Sequence, residues 1–497
     1  MTFSEKVKYV RMNLFLSQEA LAKKIGVSFA TVNRWETQDK TPQLSSVGRF
    51  LSFCEENNIE FVEEEKQELN LDFYENIEKN FRVFHPNESS ATYTSELNFS
   101  LEKDTSTQRW YRYKEGFSAN LVKKLIKRYD KWGQGNIFDP FLGSGTTILA
   151  SNELGYNGMG CEVNPFSAFL AKCKLEYYTN DDVVEFEEAC NYIFKNLHKP
   201  VKYELPKLSF ADKVFNKDIE ALYFTIKKLI PEASQNEKIK DLLKLALLSM
   251  IDEFARYKKA GNGLKFKVES KLKNQTAERF VLEFKEKCAI IKQDISESRS
   301  KGTNNIIVGS CLNVQNTIED NSINGAIFSP PYANCFDYTE IYKLELWLGD
   351  FVKSYDDVKA LKKGSLCSHL SSDLKESFSK ESSILKIIVD ELKTKKTWDK
   401  KIPIMVDSYF QDMFALIRIL QKKIKKDGFC CIVVGNSAYS GVVVPTDLLL
   451  ADYAEKNGFE VEEIIVDRYI ITSSQQYEMT KDKGKFIRES VVCLRKK

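Results

Sequence analysis

Two short motifs, each sitting where an apolar β-strand pattern ends, set the strongest limit on how this chain can fold. Asn136-Ile137-Phe138-Asp139 reads as a strand, and Asp139-Pro140-Phe141-Leu142-Gly143-Ser144-Gly145-Thr146-Thr147 leads from it into a helical pattern over 146–154. Gly325-Ala326-Ile327-Phe328 reads as another strand, and Ser329-Pro330-Pro331-Tyr332 follows it. Further strand patterns lie at 158–162, 306–308, 429–434, 461–466 and 490–494. Strands that alternate with helices imply an α/β fold with a mostly parallel, doubly wound sheet, here drawn from 109–175 and 304–497. Ligands of such sheets bind outside the carboxyl ends of the strands, so both motifs are expected on one rim.

The first motif has the chemistry of a cofactor loop. Gly143 and Gly145 let backbone approach a ligand closely at a helix start. Glu162 ends the next strand, 23 residues after Asp139, where an acid can accept both hydroxyls of a ribose. No lysine follows Gly145, so this is not a phosphate-cradling P-loop. In the second motif the paired prolines stiffen the turn and fix where Ser329 and the Pro330 carbonyl point. Tyr332 offers a flat face for stacking.

Outside the sheet, residues 176–303 read as a lysine-rich helical insertion. Its segment 256–273 holds seven basic residues and one acid, broken by Gly261-Asn262-Gly263. Lys258, Lys259, Lys265 and Lys267 are candidate phosphate contacts there. A second insertion, about 350–405, is rich in serine and lysine. Asp337-Tyr338 and Trp347 read as packing residues rather than catalytic ones, and Phe166, Phe169 and Leu170 as core. Between Glu55 and Glu78 ten acids accompany a single lysine, Lys66, which suggests a solvated connector over 61–108.

Residues 1–60 read as an all-α unit. Thr2-Phe3-Ser4-Glu5 is a capping box, followed by Val7, Val10 and Leu14 at helical spacing. Ser17 caps a second helix that Gly26 ends, Ser28 starts a third with Val32 and Trp35 inward, and Thr41-Pro42 starts a fourth. The stretch 16–43 resembles the helix-turn-helix of phage-repressor-like regulators. That resemblance implies a third helix in the DNA major groove, with Ser28, Phe29, Thr31, Asn33 and Arg34 facing DNA.

The two rim motifs together resemble the S-adenosylmethionine-dependent amino-group DNA methyltransferases, and the sheet then becomes their Rossmann-like domain. The resemblance implies a cofactor site at Asp139, Pro140, Phe141, Gly143, Gly145, Thr146 and Glu162, with Phe117 and Ser118 from a segment closing over the methionine moiety. It implies catalysis by Ser329, Pro330, Pro331 and Tyr332 on a base flipped out of double-stranded DNA. An acid that relatives often carry after the third strand is missing here, and Ser310 stands near that place. Serine at the head of the tetrapeptide favours cytosine N4 over adenine N6. Carbon-5 chemistry is excluded, because Tyr332 and not cysteine follows Pro331. A regulator that only senses cofactor, and an RNA methyltransferase, remain the competing readings. Whether a separately encoded restriction endonuclease accompanies the chain is open.

Charge and cysteine content narrow the setting. Seventy-three Lys+Arg against 71 Asp+Glu leave +2, so any nucleic-acid surface must be a local patch. No apolar run is long enough for a membrane span, and no secretory signal pattern precedes the first helix. The eleven cysteines contain no Cys-x-x-Cys pair and no nearby histidine, so reduced, buried thiols of a cytoplasmic protein are expected, with no metal site.

Overall fold

The computed structural model describes residues 3–37, 44–57, 69–86, 104–114, 116–199, 201–261, 263–297, 302–375, 380–470 and 474–497, with residues 59, 97, 102 and 378. Two compact units divide the chain, Met1–Glu68 and Leu69–Lys497.

The first unit contains α1 (Phe3–Asn13), α2 (Gln18–Ile25), α3 (Phe29–Thr37) and α4 (Leu44–Glu56). Ser17 Oγ accepts from Ala20 N, and Gly26 closes α2 at φ 69°, a left-handed backbone that glycine adopts without strain. Val7, Val10, Leu21, Ile25, Val32, Trp35 and Phe50 form its core. Glu36 is buried and accepts hydrogen bonds from Arg11 and Gln18, tying α3 to α1 and α2. The expected capping residue Thr2 and the expected helix start Thr41-Pro42 lie outside the described residues.

In the second unit the strands are β1 (Val83–Phe84), β2 (Asn136–Asp139), β3 (Asn157–Glu162), β4 (Tyr257–Ala260), β5 (Gly263–Phe266), β6 (Asn304–Val308), β7 (Ile323–Phe328), β8 (Ile424–Gly435), β9 (Ser437–Tyr439), β10 (Val442–Val444), β11 (Phe459–Tyr469) and β12 (Arg488–Lys496). Eight of them form one sheet in the order β1-β11-β12-β8-β7-β2-β3-β6. The run β8-β7-β2-β3-β6 is parallel, and β12 lies antiparallel to both β8 and β11. The order reverses between β2 and β7, so the crevice at the switch point opens where the two sequence motifs begin.

Helices cover the sheet. Phe138, Phe328, Ile432 and Val434 pack with Met405, Phe410, Phe414 and Leu448 in the largest core. Each such side chain taken fully out of water contributes about 1.5–3 kcal/mol. All eleven cysteines are buried and unbridged.

Two sequence expectations change here. The acidic connector contains a packed helix, Leu71–Glu78, whose Phe73, Tyr74 and Ile77 enter the main core. Arg488, fully buried, joins Glu78 of that helix to Asp447, and Val83–Phe84 adds a parallel strand beside β11. Acid count hid the apolar face at Phe73, Tyr74 and Ile77. The lysine-rich segment of the insertion is not helical throughout: β4 and β5 pair antiparallel, Lys258 opposite Lys265.

The rest of the insertion is a helical layer. Phe186, Tyr223, Leu242, Phe280 and Phe284 share a core with Trp110, Tyr342 and Trp347. That core brings the insertion against residues that follow the tetrapeptide. Asp294 strengthens the join, accepting from Thr107 N at 2.9 Å, Arg109 Nη2 at 2.6 Å and Trp110 Nε1 at 2.8 Å. Burial opposes its charge, but these donors outweigh that and hold the carboxyl below its ordinary range.

Candidate active site

The loop after β2 is shaped by its own backbone. Asp139 Oδ1 accepts from Phe141 N at 2.9 Å, and Gly145 N donates to Leu142 O at 2.8 Å. Gly143 has φ 51° and Gly145 φ 86°. A Cβ on Gly143 would lie 3.3 Å from the Tyr113 ring, and one on Gly145 3.2 Å from Ala171 Cβ. Glycine is therefore needed for both backbone angle and space. Glu162, at the end of β3, accepts from Gly143 N and Asn164 N, each at 2.8 Å. Burial raises its carboxyl, while the backbone N–H donors act in the opposite direction.

A cavity of about 110 Å³ opens beside this loop, lined by Pro140, Phe141, Gly143, Glu162, Asn164, Ser310, Ser329, Tyr338 and Leu366 among others. The lining offers the Glu162 carboxylate, the Ser310 and Ser329 hydroxyls and the rings of Tyr113, Phe141 and Tyr338. That set of groups has the chemistry to hold a nucleoside.

Next to it lies a cleft of about 890 Å³. Arg112, Lys114, Lys258, Lys259, Lys267, Lys271, Arg279 and Arg468 line it, against the acids Asp252, Glu253 and Glu489. Several of these cations are already matched: Arg279 pairs with Glu253, and Arg468 with Glu489. Arg112, Lys114, Lys258 and Lys271 keep the cleft positive. Ser329, Tyr113 and Tyr338 line both the cleft and the small cavity, so the two spaces meet at Ser329.

The tetrapeptide is held from behind. Tyr439 Oη donates to Ala333 O at 2.6 Å, Asn334 N to Tyr332 O at 2.8 Å, and Cys335 N to Ser368 O at 3.0 Å. Tyr332 faces the cleft with its ring against Gly435, where β8 ends. Asp337 caps the short helix Tyr338–Ile341 and pairs with Lys362, and Trp347 is fully buried, in keeping with packing roles. Tyr338 differs, since it reaches both spaces.

The sequence-expected residues separate into two groups. Pro140, Phe141, Gly143, Glu162, Ser310, Ser329 and Pro331 line the small cavity, while Phe117 and Tyr332 line the cleft. Pro330 is buried in the turn between them. Ser118, Asp139, Gly145 and Thr146 line neither. Ser118 is fully buried and caps the helix Ala119–Tyr129 by accepting from Leu121 N. Asp139 is 2% exposed beneath the loop, and its carboxyl is pushed up to about 7, chiefly by burial. Thr146 is buried, its Oγ1 hydrogen-bonded by Gln108 Nε2 at 3.3 Å.

Lys259 is also engaged elsewhere. Its Nζ lies 2.7 Å from Glu345 Oε1 and 2.7 Å from Tyr111 Oη, with Glu345 fully buried. Lys267 is spent on the carbonyls of Asp252 and Glu253. Lys258 and Lys265 remain exposed on the hairpin. In the first unit Ser28, Phe29 and Arg34 are exposed, whereas Thr31 and Asn33 are half-buried. Sequence reasoning missed Tyr113, Asn164, Arg112 and Lys271. Lys271 lies within the basic run 256–273, while the other three reach the site through tertiary packing.

Among the described residues there is no group of three or more His, Cys, Asp and Glu that could hold a metal ion. None of the described helices is long and apolar enough to cross a membrane.

Residues 16–172 match the family model for DNA methylases of the N6/N4 type. The chain is similar to the type II methyltransferase M.BsoBI of Geobacillus stearothermophilus, 28% identical over 436 residues that cover 77% of this chain and 84% of that protein. It is also similar to the type II methyltransferase M.AvaI of Nostoc sp. strain PCC 7120, 29% identical over 405 residues, or 74% of this chain and 82% of that one. A solved geranyl diphosphate methyltransferase superposes at a TM-score of 0.29 and 5% identity, covering 86% of this chain and 95% of that one. That score is too low to bear on function.

Proposed function

We propose that this chain is a DNA methyltransferase that modifies an exocyclic amino group, with cytosine N4 ahead of adenine N6. The observation that carries it is the meeting of two spaces at Ser329: a cavity fitted for a nucleoside and a positive cleft wide enough for a base. The family match and the type II methyltransferase relatives support DNA as substrate and a place in restriction–modification. The cofactor is S-adenosylmethionine, which supplies an electrophilic methyl group on sulfur. Glu162, Phe141 and Ser310 would hold its nucleoside part.

The amino nitrogen of cytosine or adenine is a weak nucleophile, because its lone pair is conjugated with the ring. The Ser329 hydroxyl and the Pro330 carbonyl offer two acceptors for its two N–H groups. Accepting both favours a tetrahedral nitrogen whose lone pair points out of the ring plane. Tyr332 supplies a face for the base to stack on, which offsets part of the few kcal/mol that flipping costs. Alignment of nitrogen and methyl then supplies much of the rate. Serine at the first tetrapeptide position is the ground for preferring cytosine. Asparagine or aspartate there is the commoner partner of adenine.

DNA is gripped, in this reading, by the hairpin β4–β5 through Lys258 and Lys265, and by α3 of the first unit through Ser28, Phe29, Thr31, Asn33 and Arg34. The first unit either adds affinity during methylation or represses transcription of its own operon.

The test is methyl transfer from labelled S-adenosylmethionine to unmethylated DNA, digested to nucleosides and resolved by mass, with Ser329→Ala and Tyr332→Ala alongside. N4-methylcytosine from the wild type alone is the expected result. N6-methyladenine would keep the enzyme and change the base. Intact cofactor binding without labelled DNA would overturn the reading in favour of an RNA substrate or a cofactor-sensing regulator.

A further inference from the structure

One aromatic side chain on the active rim has no role in the site as described. Trp398 is 66% exposed. It sits in the turn Lys395-Lys396-Thr397-Trp398-Asp399-Lys400-Lys401, just before the long helix Ile402–Lys423. That helix runs directly into β8, whose direction matches β7 and β2. A helix that crosses back before a parallel strand begins at the carboxyl end of the sheet. Trp398 is therefore on the same rim as Ser329 and Tyr332.

Contacts place it more closely. Ser440 Oγ donates to Lys396 O at 3.0 Å, anchoring the turn on the β9–β10 hairpin. The adjacent residue of that hairpin, Tyr439, donates to Ala333 O and so holds the tetrapeptide loop. Burial first, and then the charge of Asp399, raises the Cys335 thiol three residues beyond Tyr332, so Asp399 lies near that loop.

The turn is also built to stay in shape. Thr397 N donates to Lys395 O at 3.0 Å, Thr397 Oγ1 to Asp399 O at 2.8 Å, and Lys401 N to Asp399 Oδ1 at 2.8 Å. Lys396, Lys400 and Lys401 are exposed, and no described acid pairs with them. The Trp398 indole presents a flat face to solvent. Set rigidly among unpaired cations, it has the two elements that bind a nucleic-acid strand, a stacking face and phosphate neutralisation.

We propose that the Lys395–Lys401 turn is a second DNA contact of the active rim, with Trp398 stacking on a base of the target strand beside the flipped nucleotide. The inference rests on the DNA methyltransferase reading and adds to it the residue that fills or borders the gap left by flipping. Phosphates flanking that base meet Lys396, Lys400 and Lys401.

Tryptophan fluorescence gives a direct test with the full chain and duplex DNA. Trp35, Trp110 and Trp347 are buried, and only Trp132 and Trp398 are exposed. Trp132 precedes β2, at the opposite end of the sheet from the tetrapeptide. DNA is expected to quench wild-type emission, Trp132→Phe to keep the quench and Trp398→Phe to remove most of it. Trp398→Ala is expected to raise KM for DNA about tenfold, the scale of one lost base–aromatic stack, with kcat and cofactor KM unchanged. Trp398→Phe should restore KM to near the wild-type value. A quench retained in Trp398→Phe, or an unchanged KM in Trp398→Ala, overturns the proposal while methyl transfer by the wild type still stands. Absence of methyl transfer to DNA by the wild type overturns the underlying reading, and this inference with it.

Discussion

Gly435 and Tyr332 are matched in shape: a Cβ placed on Gly435 would come within 2.8 Å of Tyr332 Cε2. The last residue of β8 thus leaves room for the ring that the proposed mechanism stacks on a flipped base. Gly435→Ala should displace that ring without disturbing the buried core, and kcat is expected to fall about tenfold to a hundredfold. Cofactor affinity, measured by calorimetry, should stay within twofold or so of wild type. A kcat equal to wild type would mean that the Tyr332 ring position does not matter.

Glu162 is expected to carry most of the ribose recognition. Its two oxygens each accept one backbone N–H, which fixes the carboxylate with lone pairs left over for a ligand. Glu162→Gln keeps the shape, but it replaces one acceptor with a donor and removes the charge. Hydrogen bonds to a charged group are worth about 1.5–3 kcal/mol, so S-adenosylmethionine should bind roughly tenfold to a hundredfold more weakly by isothermal titration. Equal affinity would move the ribose elsewhere.

Lys258 and Lys259 are neighbours with opposite fates, and two variants separate them. Lys258→Ala should lower the slope of log affinity against log salt by about one, as for loss of a phosphate contact. Lys259→Met should leave that slope alone and destabilise the fold by about 3–5 kcal/mol in urea, because Glu345 loses its cation inside the core. Lys259→Met with Glu345→Gln should recover part of that loss. If Lys259→Met changed the salt slope and not the stability, the buried pair would have no structural weight.

Asp139 gives a pH-dependent signature. Its carboxyl is raised from 3.8 to about 7, first by burial. Between these values the folded chain keeps a proton that the unfolded chain has released. Stability therefore falls as pH rises through that window, and the cost is fully present above about 7. Asp139→Asn can still accept from Phe141 N and has no such proton. The stability difference between Asp139→Asn and wild type should shift toward the variant by about 2–4 kcal/mol from pH 4 to 7.5, read from urea midpoints. A difference that stays flat with pH would show that Asp139 is ionised throughout.

The parallel strands were legible because each is a short apolar run broken by glycine or a motif. Ile137-Phe138 and Ala326-Ile327-Phe328 are buried on both faces, and such strands need no alternation. The hairpin β4–β5 was not read, although Gly-Asn between two short runs is a recognised hairpin signal. Lysines at 258, 259, 265 and 267 swamped that cue, because charge density looks alike on a helix and on a ribbon. The site was legible where its residues belong to the two motifs, as with Glu162 and Ser329. Tyr113 and Tyr338 reach it through tertiary packing, which no local pattern encodes. Ser118, Asp139, Gly145 and Thr146 belong to the motif segments yet are buried and line neither space, a distinction that only burial reveals.

The edge strand β1 pairs Val83 with Ile464, and the helix just before it is fastened by Arg488 to Glu78. The partners are 381 and 410 positions apart in the chain. At about 5–20 residues per second, a ribosome needs roughly 20–80 s to make the second after the first. Residues 69–86 are thus among the first of their unit to emerge and among the last to find their place. For that interval Phe73, Tyr74 and Ile77 have no sheet to cover, and the ten acids of the surrounding stretch keep the waiting segment in solution.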